Sequence, residues 1–171
     1  MSGRARGNPG DVSLRWGWYA FGQLAVDELY ALLRLRQQVF VVEQRCPYLD
    51  CDDADQPALH LLGRDEVGGL QASLRLLPPG VKFAEPSIGR VCNAAAVRGQ
   101  GVGRHMMRLA LAEARLRYPG LAIRIAAQRY LLGFYGSLGF EPVGEPFLED
   151  DIPHIEMLLR PAASARSSSL G

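Results

Sequence analysis

Cysteine is scarce in this chain, lysine almost absent and long apolar runs missing, and each scarcity excludes something. The three cysteines, Cys46, Cys51 and Cys92, give an odd count with no Cys-x-x-Cys pair, so neither a disulfide framework nor a zinc site is indicated. Reduced thiols in a reducing compartment are the expectation, and no metal site is assigned. A net charge of +1 lacks the basic excess of a nucleic-acid module. No stretch approaches the roughly 18 apolar residues of a membrane span, and the first ten residues contain no apolar leader core. A soluble, cytoplasmic protein is expected, with no nucleic acid or membrane among its partners.

What is present is enough for one core. With 171 residues, 48% of them hydrophobic, the chain is large enough for one well-buried domain and short for two. The expected division is a flexible N-terminus 1–11, a folded domain 12–160 and a small, polar, disordered tail 161–171. Alternation and β-rich runs predict strands near 14–19, 58–63, 68–77, 87–97, 121–127, 143–148 and 154–159. Helical spacing of apolar residues predicts helices over 26–42, 101–118 and 131–137. Many strands with few helices indicate an α/β (α+β) domain with a mixed central sheet flanked by helices.

The most informative stretch is Arg98-Gly99-Gln100-Gly101-Val102-Gly103-Arg104, between a β-type run and a strongly amphipathic helix. The first amides of that helix have no intrahelical acceptor and lie at the positive end of its dipole, which suits a diphosphate. Gly101 and Gly103 let a ligand approach the backbone, and Arg98 and Arg104 add charge-assisted donors. A Walker loop is disfavoured because the only lysine, Lys82, precedes the motif. A dinucleotide fingerprint is disfavoured because Met106 stands where a third glycine belongs.

The pattern Arg-x-x-Gly-x-Gly after a strand and opening a helix resembles the acetyl-CoA signature of the GNAT superfamily of N-acetyltransferases. A second similarity is the Phe134-Tyr135 pair in a short helix before Leu138-Gly139-Phe140. Further words are similar to the ElaA-type branch: Leu29 to Arg36, Val39 to Gln44, Cys46-Pro47-Tyr48, Ile88 to Val91, and Glu149-Asp150 with Ile152 to Ile155. One departure is Asn93, where the branch tends to carry a β-branched residue.

The resemblance implies a GNAT-like fold and acetyl-CoA as donor, bound by Val91, Cys92, Asn93, Arg98, Gly99, Gln100, Gly101, Val102, Gly103, Arg104, Gln128, Phe134 and Tyr135. It implies direct attack of a primary amine of a small molecule or peptide on the thioester, with Tyr135 protonating the leaving thiolate. Candidates for removing the amine's proton are Glu43, Glu149, Asp150 and His154, with exposed turn charges as the alternative reading. Asp50, Asp52, Asp53 and Asp55 either attract a cationic amine or form a solvated acidic loop; a calcium loop lacks the required glycine and glutamate. His60, among leucines, reads as a hydrogen-bonded structural histidine. An unpaired edge strand leaves a homodimer open. The competing function is a non-catalytic acetyl-CoA-binding sensor or interaction module, which would release no CoA in response to amines.

Overall fold

A computed structural model describes residues 13–162. The expected N-terminal extension 1–11 lies outside the described residues, as does all of the tail 161–171 beyond Ala162. Seven strands, β1 (Arg15–Ala20), β2 (Leu59–Arg64), β3 (Leu70–Leu77), β4 (Ser87–Asn93), β5 (Ile123–Gln128), β6 (Glu141–Glu149) and β7 (Ile152–Leu159), form one sheet ordered β1-β2-β3-β4-β5-β7-β6. All neighbours pair antiparallel except β4 and β5, which run parallel. Helices α1 (Val26–Arg36), α2 (Val102–Arg117) and α3 (Leu132–Gly136) complete the domain. No helix among the described residues is long and apolar enough to cross a membrane.

The two faces of β3 show why the sheet needs cover on both sides. Ala72, Leu74 and Leu76 join Met106, Met107, Ala110, Leu111 and Ala114 of α2 in the main core. On the opposite face a smaller cluster joins Leu35, Val39 and Cys92, with Leu70 against it. The apolar stripe of α2 is what its three-and-four spacing predicts.

Two irregularities shape the site. First, the expected single helix 26–42 divides: α1 ends at Arg36 and the chain continues as a wider π-type segment, Gln37–Glu43. Bonds from the Gln44 amide to the Val39 carbonyl and from the Cys46 amide to the Val41 carbonyl carry the five-residue spacing beyond it. Second, β4 bulges. Cys92 pairs with Ser73 and Gly89 with Arg75, so Arg90 and Val91 together oppose Leu74, and Arg90 takes φ of 51°. The expected strand 87–97 accordingly stops at Asn93, and Ala95–Val97 form a 3₁₀ turn.

β4 and β5 register only at Ser87 and Arg124 and then diverge, because β5 stays paired with β7 over six positions while β4 stays with β3. The divergence opens a cleft at the strands' carboxyl ends, where α2 begins. Edge strand β6 carries its own register shift between Val143 and Phe147 together with Pro142 and Pro146, features that disfavour pairing with another strand.

Candidate active site

The cleft holds two cavities of about 500 and 550 Å³ that share one wall: Phe40, Gln44, Val91, Gln128, Leu131 and Tyr135. The smaller adds Glu43, Cys92, Asn93, Arg98, Gly103 and Phe134, and lies on the side of the glycine loop. The larger adds Tyr48, Asp52, Arg75, Lys82, Arg90, Glu149, Asp150 and His154.

The glycine loop is built by backbone geometry. Gly99 and Gly101 have φ of 75° and 76°, a left-handed conformation that side chains with a Cβ adopt at a cost. Gly101 precedes α2 and caps it with no side chain; its carbonyl accepts from the His105 amide, leaving the earlier amides of the first turn without intrahelical acceptors. At Gly103 an added Cβ would meet Asn93 Nδ2 at 3.2 Å, so the missing side chain is what lets Asn93 pack there. Asn93 Oδ1 is buried with no hydrogen-bond partner among the described residues.

The arginines of the loop are engaged within the protein. Arg98 donates to the Asn93 carbonyl from Nε (3.1 Å) and Nη2 (2.8 Å), and pairs with Glu43 at 2.6 Å. Arg104 turns toward α3, donating to Ser137 Oγ at 2.8 Å with its guanidinium 5.7 Å from the Phe134 ring centre. Gln100 closes the loop on the Ala96 carbonyl at 3.0 Å. Of the expected donor-side residues, Val91, Cys92, Asn93, Arg98, Gly103, Gln128, Phe134 and Tyr135 line the smaller cavity; Gly99, Gln100, Gly101, Val102 and Arg104 are not in its wall. Val102 instead joins the core.

Tyr135 stands where the cavities meet, 7% exposed and edge-on to Phe134 and Phe140. Burial pushes its phenol up to about 12, with the neighbouring Tyr130 adding to the effect. Beside it Gln44 and Gln128 exchange side-chain amide bonds of 3.4 and 3.2 Å, tying the end of the π segment to the end of β5.

On the other side His154 is buried, and its Nδ1 lies 2.7 Å from the Ile152 carbonyl. A carbonyl only accepts, so Nδ1 carries a proton and donates it, which leaves Nε2 as the ring nitrogen that faces Glu149. Nε2 lies 3.6 Å from Glu149 Oε2, and Glu149 Oε1 lies 3.6 Å from Lys82 Nζ. Asp150 lines the same cavity, whereas Glu43 lines the smaller one against Arg98.

The aspartates are not the uniform acidic loop that the sequence suggests. Arg36 of α1 bonds Asp50 and Asp55 at 2.7 Å each; Arg75 of β3 bonds Asp52 and Asp55 at 2.6 and 2.8 Å; Arg90 of the bulge donates from Nη2 to the Asp50 carbonyl at 3.1 Å and to Asp52 at 3.3 Å, with its Nε in ion-pair contact with the Asp50 carboxylate at 2.8 Å. Three cations thus neutralise three anions, and neither amine attraction nor a calcium loop fits carboxylates so engaged. Only Asp53 has no part in these bonds among the described residues. Burial favours the neutral form of Asp55, yet hydrogen bonds from Arg36 and Arg75 outweigh it and hold the carboxyl below its usual range. The lattice clamps the segment from Tyr48 to Asp55 onto β3 and the bulge, and so holds in place a wall of the larger cavity. His60 has the structural role expected of it: buried, with Nε2 2.9 Å from the Asp55 carbonyl and its pKa lowered by burial.

Sequence reasoning assigned no role to Phe40, Gln44, Arg75, Lys82 or Arg90 in the cleft. Arg36 did carry a signal, since it occupies an apolar helical stripe with Leu32 and Val39, where a charge needs a buried partner.

Residues 82–161 match the model of the acetyltransferase (GNAT) domain. An acyl-CoA N-acyltransferase from Pseudomonas aeruginosa superposes with a TM-score of 0.81 at 44% identity, covering 85% of this chain and 99% of that one. The crystal structure of Escherichia coli ElaA gives 0.79 at 39% identity, with 85% and 99% covered. A UPF0039 protein of Synechocystis is 40% identical over 149 residues, 87% of this chain and 97% of the relative. With the glycine loop, the splayed β4–β5 pair and relatives this similar over nearly their whole length, the chain belongs to the GNAT acetyltransferase family, among the homologues of ElaA and the UPF0039 proteins.

Proposed function

We propose that the protein is an acetyl-CoA-dependent N-acetyltransferase that acts on a primary amine. The observation that carries this reading is the junction of the two cavities at Tyr135, Gln128 and Val91, with the phosphate-type loop on one side and the Glu149–His154 pair on the other. The P. aeruginosa neighbour's acyl-CoA chemistry supports the donor class.

In this reading the free amides of the first turn of α2 and Arg98 receive the pyrophosphate of the coenzyme. Its pantetheine arm pairs with the main chain of β4 at Val91 to Asn93, on the edge left open where β4 diverges from β5. A neutral amine entering from the larger cavity attacks the thioester carbonyl carbon, and a β4 amide stabilises the developing oxyanion. The amine's proton passes to His154 Nε2, directly or through Glu149. The carbon–sulfur bond breaks, and the thiolate takes the Tyr135 proton. Burial keeps the Tyr135 phenol protonated, as a proton donor to the thiolate must be. Val91, Cys92, Asn93, Gly103, Gln128 and Phe134 serve the donor, whereas Glu43 positions Arg98.

The test is release of free CoA thiol from acetyl-CoA across a panel of primary amines. Release that requires both protein and amine is expected. Saturable acetyl-CoA binding with no amine-dependent release from any of them would contradict the enzymatic reading.

A further inference from the structure

Lys82 is the only lysine of the 171 residues, and it lines the acceptor-side cavity. It lies in the segment between β3 and β4, over the Phe83 ring, with its side chain 36% exposed. Its Nζ is 3.6 Å from Glu149 Oε1, Glu149 Oε2 is 3.6 Å from His154 Nε2, and His154 is fixed by the Ile152 carbonyl. The contact thus holds a primary ammonium against the carboxylate that reaches His154, in the wall of the cavity that Tyr135 also lines. The ε-ammonium of Lys82 is itself a primary amine, of the class that the proposed function accepts.

We infer that Lys82 is a self-modification site: the protein transfers an acetyl group from acetyl-CoA to its own Lys82 Nζ. This rests on the acetyltransferase reading above. The ammonium gives one proton to Glu149 or His154, and the free Nζ attacks the thioester carbonyl. The N–C bond forms as the C–S bond breaks, the thiolate takes the Tyr135 proton, and the second amine proton follows the first; one of the two returns to the Tyr135 phenolate and the other leaves to solvent. Atoms and charge balance with acetyl-CoA as the only co-reactant. The resulting amide has no charge to pair with Glu149, so the modification leaves that carboxylate free to face an incoming cationic amine.

The experiment is incubation of the full chain with acetyl-CoA and no added amine, read by intact mass and peptide mapping. With one lysine in the chain, the N-terminal amine is the only other amine that such a map has to separate. Expected is one acetyl increment at Lys82, absent in Lys82→Arg, slowed in Tyr135→Phe, and formed at a rate per molecule that dilution leaves unchanged. Wild-type protein that releases CoA with an added amine but keeps Lys82 unmodified would overturn the inference and leave the acetyltransferase reading standing. Lys82 labelling at the same rate in urea-unfolded chain would reduce it to spontaneous chemistry and overturn it too. No labelling and no amine-dependent release, with acetyl-CoA bound, would remove both readings.

Discussion

Asp55→Ala should separate a buried clamp from a solvated acidic loop. Asp55 is 7% exposed and accepts one hydrogen bond from each of two guanidiniums, Arg36 and Arg75, themselves 1% and 2% exposed. Removing one partner of a buried ion pair costs about 3–5 kcal/mol because a charge is left desolvated. Here each arginine keeps a second carboxylate, Asp50 for Arg36 and Asp52 for Arg75, which places the loss near the lower end, at about 3 kcal/mol. For a domain of this size that lowers Tm by roughly 6–12 °C. The assay is urea denaturation at neutral pH, with Asp53→Asn as the comparison. Asp53 is exposed with φ of 60°, a conformation asparagine tolerates, so that variant should stay within about 0.5 kcal/mol of wild type. Asp55→Ala losing under about 1 kcal/mol, or the two variants losing equally, would refute the claim that these arginines clamp the acceptor-side wall.

Acid should act through the same carboxylates. Asp52 and Asp55 are held below their ordinary range by arginine bonds that outweigh burial, so their stabilisation is complete above about pH 4 and drains as pH falls further. A urea midpoint that is level from pH 7 to 5 and drops below 4 is expected; a drop already between pH 6 and 5 would assign acid sensitivity to other groups. Gly103→Ala should weaken acetyl-CoA binding roughly tenfold, about 1.4 kcal/mol, by driving Asn93 into the donor cavity. Calorimetry on Gly103→Ala, Asn93→Ala should then show affinity recovered, and continued weakness in the double variant would mean the Cβ itself blocks the ligand. Glu149→Gln should lower turnover while leaving acetyl-CoA affinity unchanged, since Glu149 lines only the acceptor cavity; a weakened donor affinity would move it to the other side.

The elements around the smaller cavity were legible because their signals are local. The glycine turn, the stripe of α2 and the short helix before Leu138-Gly139-Phe140 each announce themselves within a few residues. The π segment was not legible, because Val39 and Phe40 sustain the apolar pattern whether the chain closes rings of four or of five residues. The bulge at Arg90 was equally hidden, since nothing in Ile88 to Val91 marks which residue loses its partner on β3. Asp50 to Asp55 read as acidic because their partners come from α1, β3 and β4, far away in sequence. Glu43 shows the same limit: its neighbours in sequence give no sign that it meets Arg98, 55 residues on.

The most direct test of the central claim is the kinetics of Tyr135→Phe beside its acetyl-CoA affinity. The cavities meet at this residue, and the substitution removes one hydroxyl from a buried ring. The account predicts a fall in kcat of roughly 100-fold or more with acetyl-CoA Kd unchanged, as for loss of a general acid. Undiminished kcat in the variant would contradict it.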